Sequence, residues 1–267
     1  MIRQPAVAGS FYPADVNQLN DVLAQLLPAD AVPQSAKAII VPHAGYVYSG
    51  TVAGELIAST KIPKTVVLLG PNHQGAGHDI AVSGVDRWAT PLGDVPIAVS
   101  LREQLCHSIP ELVVDDRAHQ LEHSLEVMLP FLLKCQPELQ IIPISLRSLS
   151  YQQASELGQG IAAVIQQQKE DILLLASSDM NHFLDAETTE KLDFMAISAM
   201  TSFDPDALYQ TVRQNRISMC GVLPAVTVMH AAKQLGASHC KLVRYAHSGQ
   251  VNGDNSRVVG YAGLAIA

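Results

Sequence analysis

The sequence predicts an α/β fold, in which helices flank a central sheet that is mixed or mostly parallel. Several short apolar runs are nearly continuous, as expected for strands that are buried on both faces. Segments with helical patterns separate these runs, and such alternation is typical of parallel sheets. The 267 residues contain no internal repeat or Gly/Ser-rich linker, so a single domain spanning residues 1–267 is predicted.

The predicted strands are short and rich in Val, Ile and Leu, and turn-forming residues bound several of them. In chain order they are residues 37–42, 65–70, 140–146, 171–177, 239–246 and 257–266. The Gly- and Pro-rich stretch 76–97 interrupts this pattern. We expect it to form a β-hairpin or an extended loop near the functional site.

Seven helices are predicted between these strands. In chain order they are residues 15–27, 49–59, 121–135, 151–168, 186–201, 205–214 and 221–235. The first begins with Asp15 and carries Gln18 three residues later, which resembles a capping box. Pro130 falls inside the third predicted helix, which is therefore expected to kink or restart there.

Composition excludes several classes of protein. Hydrophobic residues make up 48% of the chain and charged residues 16%, which indicates a core-rich globular protein. The net charge of −8, without a dense basic patch, argues against a nucleic-acid partner. No apolar run approaches the roughly 20 residues that span a bilayer, so no membrane association is expected.

Cysteine usage indicates a reducing compartment. The four cysteines, Cys106, Cys135, Cys220 and Cys240, form no CxxC pair, and no secretory signal opens the chain at MIRQPAVAGS. We therefore expect free thiols and a cytoplasmic location.

Histidines follow two of the predicted strands. His43 comes just after AIIVP, and His73 follows TVVLLGPN. In open α/β sheets, ligands collect outside the carboxyl ends of the strands, and neutral imidazole is the commonest metal ligand in proteins. The two side chains therefore suggest a shared metal ion. The alternative is that each imidazole only forms a hydrogen bond with a backbone carbonyl.

The segment HQLEHSLEVMLPFLLK, residues 119–134, carries two further histidines. On the predicted helix, His119 and His123 share a face, as do Glu122 and Glu126. The histidine spacing resembles that of a helical zinc pair, although the HExxH order is absent. At least one of the glutamates is expected to lie on a solvated face.

Small polar residues crowd the end of the strand predicted at 171–177, in the sequence SSDMNH. Asp179 and His182 could form a carboxylate–imidazole pair suited to acid–base catalysis. Alternatively, Asp179 could cap the following helix.

Cys220 lies just before Gly221 and a predicted helix, where a thiolate with a depressed pKa could act as a nucleophile or ligand. The common alternative is that a free cysteine is buried and has no chemical role.

Taken together, these stretches resemble the Memo family, which looks related to the class III extradiol ring-cleaving dioxygenases. The matching pieces span nearly the whole chain in order. They are AGSFYP (8–13), PHAGYVYSG (42–50), LGPNHQG (69–75), TPLGDV (90–95), EHSLEVMLPFL (122–132), SSDMNH (177–182), CG (220–221) and VVGYAG (258–263).

The resemblance implies roles for particular residues. His43 and His73 match the two histidines that bind non-haem Fe(II) in the related dioxygenases, and Cys220 stands where those enzymes place a carboxylate ligand. His182 matches their acid–base histidine, with Asp179 as its neighbour. His123 resembles a further histidine on the substrate side.

The resemblance also implies a cofactor and partners. Fe(II) is the expected metal, while the soft thiolate of Cys220 also suits copper or zinc. A small molecule, for example an aromatic one, or a peptide is the expected ligand, and prokaryotic relatives are often linked to a radical-SAM protein.

Three functions remain open at this stage. The first is a metal-dependent redox enzyme of the dioxygenase type. The second is a non-catalytic protein whose vestigial pocket binds a metal, peptide or small ligand. The third is a zinc hydrolase, for which the sequence has no established motif. Whether the protein is an enzyme is therefore not decided by the sequence, because a fold shared with dioxygenases does not imply their reaction.

Overall fold

The computed structural model describes all 267 residues, and nine of its twelve strands form one central sheet. The strands are β1 (Ile2–Arg3), β2 (Ala38–Val41), β3 (Thr65–Pro71), β4 (Ile80–Val82), β5 (Arg87–Thr90), β6 (Gly93–Pro96), β7 (Val113–Val114), β8 (Gln140–Leu146), β9 (Ile172–Ser177), β10 (His182–Leu184), β11 (Cys240–His247) and β12 (Val258–Ile266).

The middle of this sheet is parallel and its flanks are mixed. Strands β2, β9, β3 and β8 are neighbours in that order and run parallel. On one side β12 pairs antiparallel with β2, β10 and β11, and on the other side β4 pairs antiparallel with β8. The predicted α/β fold with a mixed or mostly parallel sheet is confirmed. The parallel strands are buried almost throughout, which explains their continuous apolar sequences.

Nine α-helices connect and cover the strands. They are α1 (Val16–Leu26), α2 (Tyr46–Ala58), α3 (Val99–Ser108), α4 (Leu129–Cys135), α5 (Tyr151–Ile165), α6 (Ala186–Thr201), α7 (Pro205–Gln214), α8 (Val222–Gln234) and α9 (Gly249–Asn252). Helix α8 packs on β2, β3 and β9 and also against α5, while α2 packs on β2, β11 and β12. None of the helices is both long enough and apolar enough to cross a membrane.

The predicted helix over residues 121–135 is wrong in its first half. Residues 119–125 form turns and irregular backbone, Glu126–Met128 is a 3-10 turn, and the α-helix begins only at Leu129. Pro130 lies in the first turn of α4, where its missing N–H costs no hydrogen bond. The buried partners of Glu122 and Glu126, described below, hold the upstream residues out of a helix.

Local capping also differs from the prediction. Asp15 does cap α1, because its carboxylate accepts hydrogen bonds from the Asn17 and Gln18 N–H groups, but the glutamine does not reciprocate. The reciprocal capping box occurs instead at Ser150 and Gln153 of α5. Helix α3 was not predicted, since its sequence VSLREQLCHS buries only two leucines, Leu101 and Leu105.

The stretch 76–97 contains the predicted hairpin. Strands β5 and β6 pair antiparallel, and β1 joins β5 to complete a separate three-stranded sheet. The N-terminal strand is thereby anchored, with the Arg3 guanidinium 4.1 Å from the centroid of the Trp88 ring. A continuous core of 68 buried apolar residues unites the layers.

Candidate metal centre

The carboxyl ends of three adjacent parallel strands meet at one edge of the sheet. His43 lies two residues beyond β2, and His73 lies two residues beyond β3. Strand β9, which lies between them, ends at Ser177. The strand order therefore brings together side chains that are far apart in the sequence, as expected for the ligand-binding edge of an α/β sheet.

Three imidazoles converge at this edge. The candidate ligand atoms of His43, His73 and His123 all lie within 4.8 Å of one another. Their ring centroids are 5.2 Å apart for His43 and His73, 5.4 Å for His43 and His123, and 4.8 Å for His73 and His123. His43 is buried, His123 is half-buried and His73 is exposed, so the cluster opens to solvent on one side.

Hydrogen bonding determines which nitrogen of His43 carries the proton. The Ser177 hydroxyl donates its hydrogen to the Ser124 carbonyl at 2.6 Å, so it can only accept from His43 Nδ1, which is 2.7 Å away. Nδ1 of His43 is therefore protonated, and Nε2 keeps the lone pair that a metal ion needs.

Glu122 orients the His73 ring by a similar hydrogen bond at Nδ1. Its carboxylate accepts from the His73 ring at Nδ1, 2.9 Å away, and from the His73 backbone N–H at 2.6 Å. It also accepts the backbone N–H groups of His123 and Ser124. Glu122 is buried, and its hydrogen bonds to His73 match the way in which a carboxylate orients a histidine ligand in metal sites. The expectation of a solvated glutamate face is wrong for both Glu122 and Glu126.

The electrostatics favour the neutral form of the His43 and His123 imidazoles. Burial, followed by the nearby charges of His73 and His123, lowers the pKa of His43 well below its usual value. Burial also lowers the pKa of His123. Burial alone would raise the pKa of Glu122, but hydrogen bonds and charge from His73, with help from Ser124 and His123, lower it to about 2. An ionised carboxylate close to the neutral imidazoles of His43 and His123 is an arrangement that suits a cation.

Cys220 lies beside the cluster, and Sγ is 3.3 Å from His43 Nε2. Burial, together with the charge of Asp179, raises the pKa of the thiol. The expected thiolate with a depressed pKa is therefore wrong for the protein without a metal. Gly221 makes this approach possible, because a Cβ there would collide with the Ser177 carbonyl oxygen and the Ser178 Cβ.

Asp179 and His182 follow β9 but form no hydrogen bond with each other. The Asp179 carboxylate accepts the backbone N–H groups of His43 and Ala44, at 2.7 and 3.3 Å, so it fixes the backbone that carries His43. Burial raises the pKa of Asp179 against the lowering effect of these donors and of His182. Asp185, not Asp179, caps the following helix α6, so the capping alternative for Asp179 is wrong.

His182 is held by the turn that precedes Cys220. Its Nδ1 donates to the Ser218 carbonyl at 2.9 Å, and its backbone N–H donates to the Ser218 hydroxyl at 2.7 Å. A carbonyl can only accept, so Nδ1 carries the proton and Nε2 is available to take up or release another. This geometry suits a proton carrier.

His119 does not belong to the cluster. It is buried, its Nε2 forms a hydrogen bond with the Ala81 carbonyl at 3.1 Å, and its ring packs against Trp88. Burial lowers its pKa to about 4. The proposed helical pair of His119 and His123 is wrong, because neither residue lies on an α-helix.

Sequence reasoning missed several residues that shape the site. Ser177 and Ser218 orient His43 and His182, and the Phe11 ring packs 4.7 Å from His123. The small polar residues crowded at the end of β9 were a signal for Ser177. No local pattern pointed to Phe11 or Ser218, because their partners lie far away along the chain.

Comparison with known proteins places this chain in a family. Residues 3–265 match the family described as "Memo-like protein". A MEMO1 family protein of Aquifex aeolicus is 44% identical over 267 residues, which cover 98% of each chain. A MEMO1 family protein of Methanothermobacter thermautotrophicus is 35% identical and covers 99% of this chain and 100% of its own.

A solved structure shares the fold at low sequence identity. An uncharacterized protein of Escherichia coli K12 superimposes with a TM-score of 0.58 and 14% identity, covering 86% of this chain and 99% of its own. That similarity concerns the fold alone. The full-length family match and the identity to its members lead to one conclusion: this chain belongs to the Memo family.

Proposed function

We propose that the protein is a metal-dependent oxidoreductase that binds Fe(II) at the sheet edge and acts on a small-molecule substrate. The observation that carries the proposal is the convergence of three imidazoles whose ligand atoms lie within 4.8 Å of one another. Imidazole donors with a nearby thiol suit iron, copper and zinc, so the donor chemistry fits a transition metal. Bound Fe(II) would supply redox chemistry with dioxygen.

His43 and His73 are the proposed ligands common to every arrangement. Hydrogen bonds to their Nδ1 atoms leave Nε2 of each ring for the metal. Cys220 is the proposed third ligand, since its Sγ already lies 3.3 Å from His43 Nε2. Metal binding would then displace the thiol proton, which makes the affinity depend on pH. His123 either completes the metal site in place of Cys220 or remains on the substrate side.

The remaining residues are assigned to substrate chemistry. His182 Nε2 accepts or donates the proton, while Ser218 holds the ring in position. Asp179 keeps the His43 backbone in place through two N–H groups. The Phe11 ring packs against the His123 ring and supports its position.

Metal analysis of matched variants tests the site. The protein is loaded anaerobically with Fe(II), desalted and analysed for bound iron. We expect H43A and H73A to lose the iron that the wild type retains. H78A is the control for the histidines, because His78 is exposed and lies five residues from His73. Equal iron in the wild type and H73A would refute the site.

The third ligand is identified by comparing C220S with H123A. If Cys220 is a ligand, C220S loses iron and H123A retains it, and the reverse result assigns the role to His123. C135S is the control for the thiol, because Cys135 is exposed and free.

A second candidate is a non-catalytic protein that holds a metal or a small ligand. The thiol of Cys220 beside the imidazoles favours it, since a soft donor also suits copper and zinc. Oxygen uptake by iron-loaded protein with a panel of catechols separates the two functions. Uptake that requires both a substrate and His182 supports the enzyme. Stoichiometric iron without any substrate-dependent uptake supports the binding protein.

A further inference from the structure

The backbone at Phe183 is strained, although Phe183 does not lie at the end of a helix. Its φ is 66°, in the left-handed region that bulky residues rarely adopt. The other non-glycine residues with positive φ are Phe203 and Arg216, and each directly follows the C-cap of a helix. A left-handed residue is common at that position. Phe183 instead lies in the short strand β10.

A β-bulge accounts for the conformation of Phe183. The pairing of β10 with β12 shifts register between His182 and Leu184, so Phe183 is the residue left out of the ladder. Bulges often redirect a side chain beside a functional site. Here the redirected ring is 58% exposed, and its centroid lies 5.5 Å from that of the His182 imidazole.

Arg257 lies over this ring without a partner of its own. Its guanidinium carbon is 4.7 Å from the centroid of Phe183. No acidic group lies within ion-pair distance of Arg257, and its side chain donates no hydrogen bond to the protein. By contrast, Arg147 and Arg244 pair with Asp79 and Glu55.

The chemistry of this pair selects an anion. Contact with the ring face holds the guanidinium in place and leaves its N–H donors unused. A planar guanidinium binds a carboxylate through two parallel hydrogen bonds. The chain carries a net charge of −8, so a local cation without an acidic partner favours the approach of an anion at this position.

We propose that Phe183 and Arg257 form a subsite that binds the carboxylate end of the substrate beside His182. The planar or apolar body of the substrate packs on Phe183, and the carboxylate pairs with Arg257. The inference rests on the proposed function, because it names the substrate class of that metal centre. It explains why a strained aromatic residue follows the proposed proton carrier.

Paired probes test the subsite. Calorimetry on iron-loaded protein compares 3,4-dihydroxybenzoate with catechol, which differ by the carboxylate. We expect the wild type to bind the carboxylate probe about tenfold more tightly, the lower range for a charged hydrogen-bonded pair. R257M should remove most of this preference. R213M, at an exposed arginine that also lacks an ion pair, retains it.

F183G provides a second readout. Glycine adopts positive φ without strain, so the melting temperature of F183G should equal or exceed that of the wild type. The preference for the carboxylate probe should nevertheless fall, because Arg257 loses its support. A lower melting temperature with an unchanged preference would make Phe183 a packing residue and overturn the proposal.

The outcomes separate this inference from the proposed function. Iron content is measured first, on the same samples. If iron is absent, or is equal in the wild type and H73A, the proposed function fails. The subsite alone is refuted if iron is bound at the histidines but R257M keeps the full preference for the carboxylate probe. It is also refuted if iron is bound there but the wild type shows no such preference.

Discussion

Glu122 and Glu126 lie four residues apart, and each buried carboxylate accepts four hydrogen bonds. Glu122 accepts them from the His73 ring and from the backbone of three residues, all in the candidate metal centre. Glu126 accepts them from Arg3, Tyr12 and the backbone of Ala6 and Val7, all in the N-terminal segment. Both carboxylates are buried, so only their hydrogen-bond partners distinguish their roles. Glu122 orients His73, a candidate ligand, whereas Glu126 anchors the N-terminal segment.

The Glu126 side of the segment is built for stability. The Arg3 guanidinium donates to Glu126 and also to the carbonyl oxygens of His119 and Glu122. The N-terminal strand therefore holds both ends of the turn that carries His123. Phe11 of the same segment packs on the His123 ring.

Removing Glu126 should give the largest effect on the free energy of unfolding. E126A leaves the Arg3 charge buried without a partner, which costs about 3–5 kcal/mol in comparable pairs. Urea unfolding of E126A measures the loss. The R3M/E126L double variant should recover part of it, because neither charge remains. If E126A loses iron but keeps wild-type stability, the division between the two glutamates is wrong.

A third buried carboxylate, Asp193, sharpens the comparison because it has no cationic or imidazole partner. It accepts only the Asn181 N–H and the Tyr245 hydroxyl, at 2.8 Å each. Burial raises its pKa from 3.8 to about 7, and the charge of Glu190 adds to this effect. Gly260 faces it, and a Cβ at that position would collide with the carboxylate.

The raised pKa predicts a pH-dependent loss of stability. Between about pH 4 and 7 the unfolded chain releases the Asp193 proton while the folded protein keeps it, so rising pH favours unfolding. At about 1.4 kcal/mol per pKa unit, the contribution lost is at most about 4 kcal/mol. Above pH 7 both states are ionised, and the loss is complete.

D193N isolates this contribution. Its free energy of unfolding minus that of the wild type should increase between about pH 4 and 7 and stay level above that range. Urea unfolding of both proteins across the range gives the difference, in which other titrating groups cancel. A difference that is constant with pH would show that Asp193 is ionised in the folded protein.

Removing the charge of Glu122 should act mainly on metal binding. E122Q cannot accept all four donors, so it should lose about 1–3 kcal/mol of stability, less than E126A. Its iron affinity should fall about 10–100-fold, the usual cost of losing a carboxylate behind a histidine ligand. Competition with a chelator measures the affinity. E126Q is the matched control, and an equal loss of affinity in both variants would contradict the assigned roles.

The smallest expected effect comes from S177A. It removes the acceptor that keeps the proton on His43 Nδ1, with a stability cost of about 1 kcal/mol. The Nδ1–H and Nε2–H tautomers of His43 then become closer in energy, but the metal-binding tautomer stays populated. Iron affinity should therefore fall less than in E122Q. NMR of ¹⁵N-labelled histidine reports the protonated nitrogen. An unchanged Nδ1–H form in S177A would mean that Ser177 does not determine it.

Local sequence was sufficient for the four parallel strands at the middle of the sheet and for the two strand-end histidines, but not for the short strands β4, β7 and β10. The apolar runs of β2, β3, β8 and β9 were predicted within one or two residues, because strands buried on both faces need continuous apolar side chains. His43 and His73 follow such strands directly. Family resemblance, rather than a strand-end pattern, assigned Cys220 as the third ligand.

The residues 119–128 could not be predicted from local pattern. Their spacing suits an amphipathic helix, yet Glu122 and Glu126 find buried partners that lie 49 to 123 residues away in sequence. These long-range hydrogen bonds outweigh a helix propensity of a few tenths of a kcal/mol per residue. The same reason explains why the Ser218 contact with His182 was missed.

The sequence by itself determined the fold class, the family and the strand ends at which His43 and His73 lie. Apolar periodicity and turn residues are local properties, and they act over a few neighbouring positions. Only the tertiary structure decided which side chains share a pocket, which imidazole nitrogen is free and which glutamate faces the histidines. These features depend on the order of the strands and on the hydrogen-bond partners of the buried polar groups. A buried carboxylate or imidazole needs such partners, and they can come from any part of the chain that folds against it.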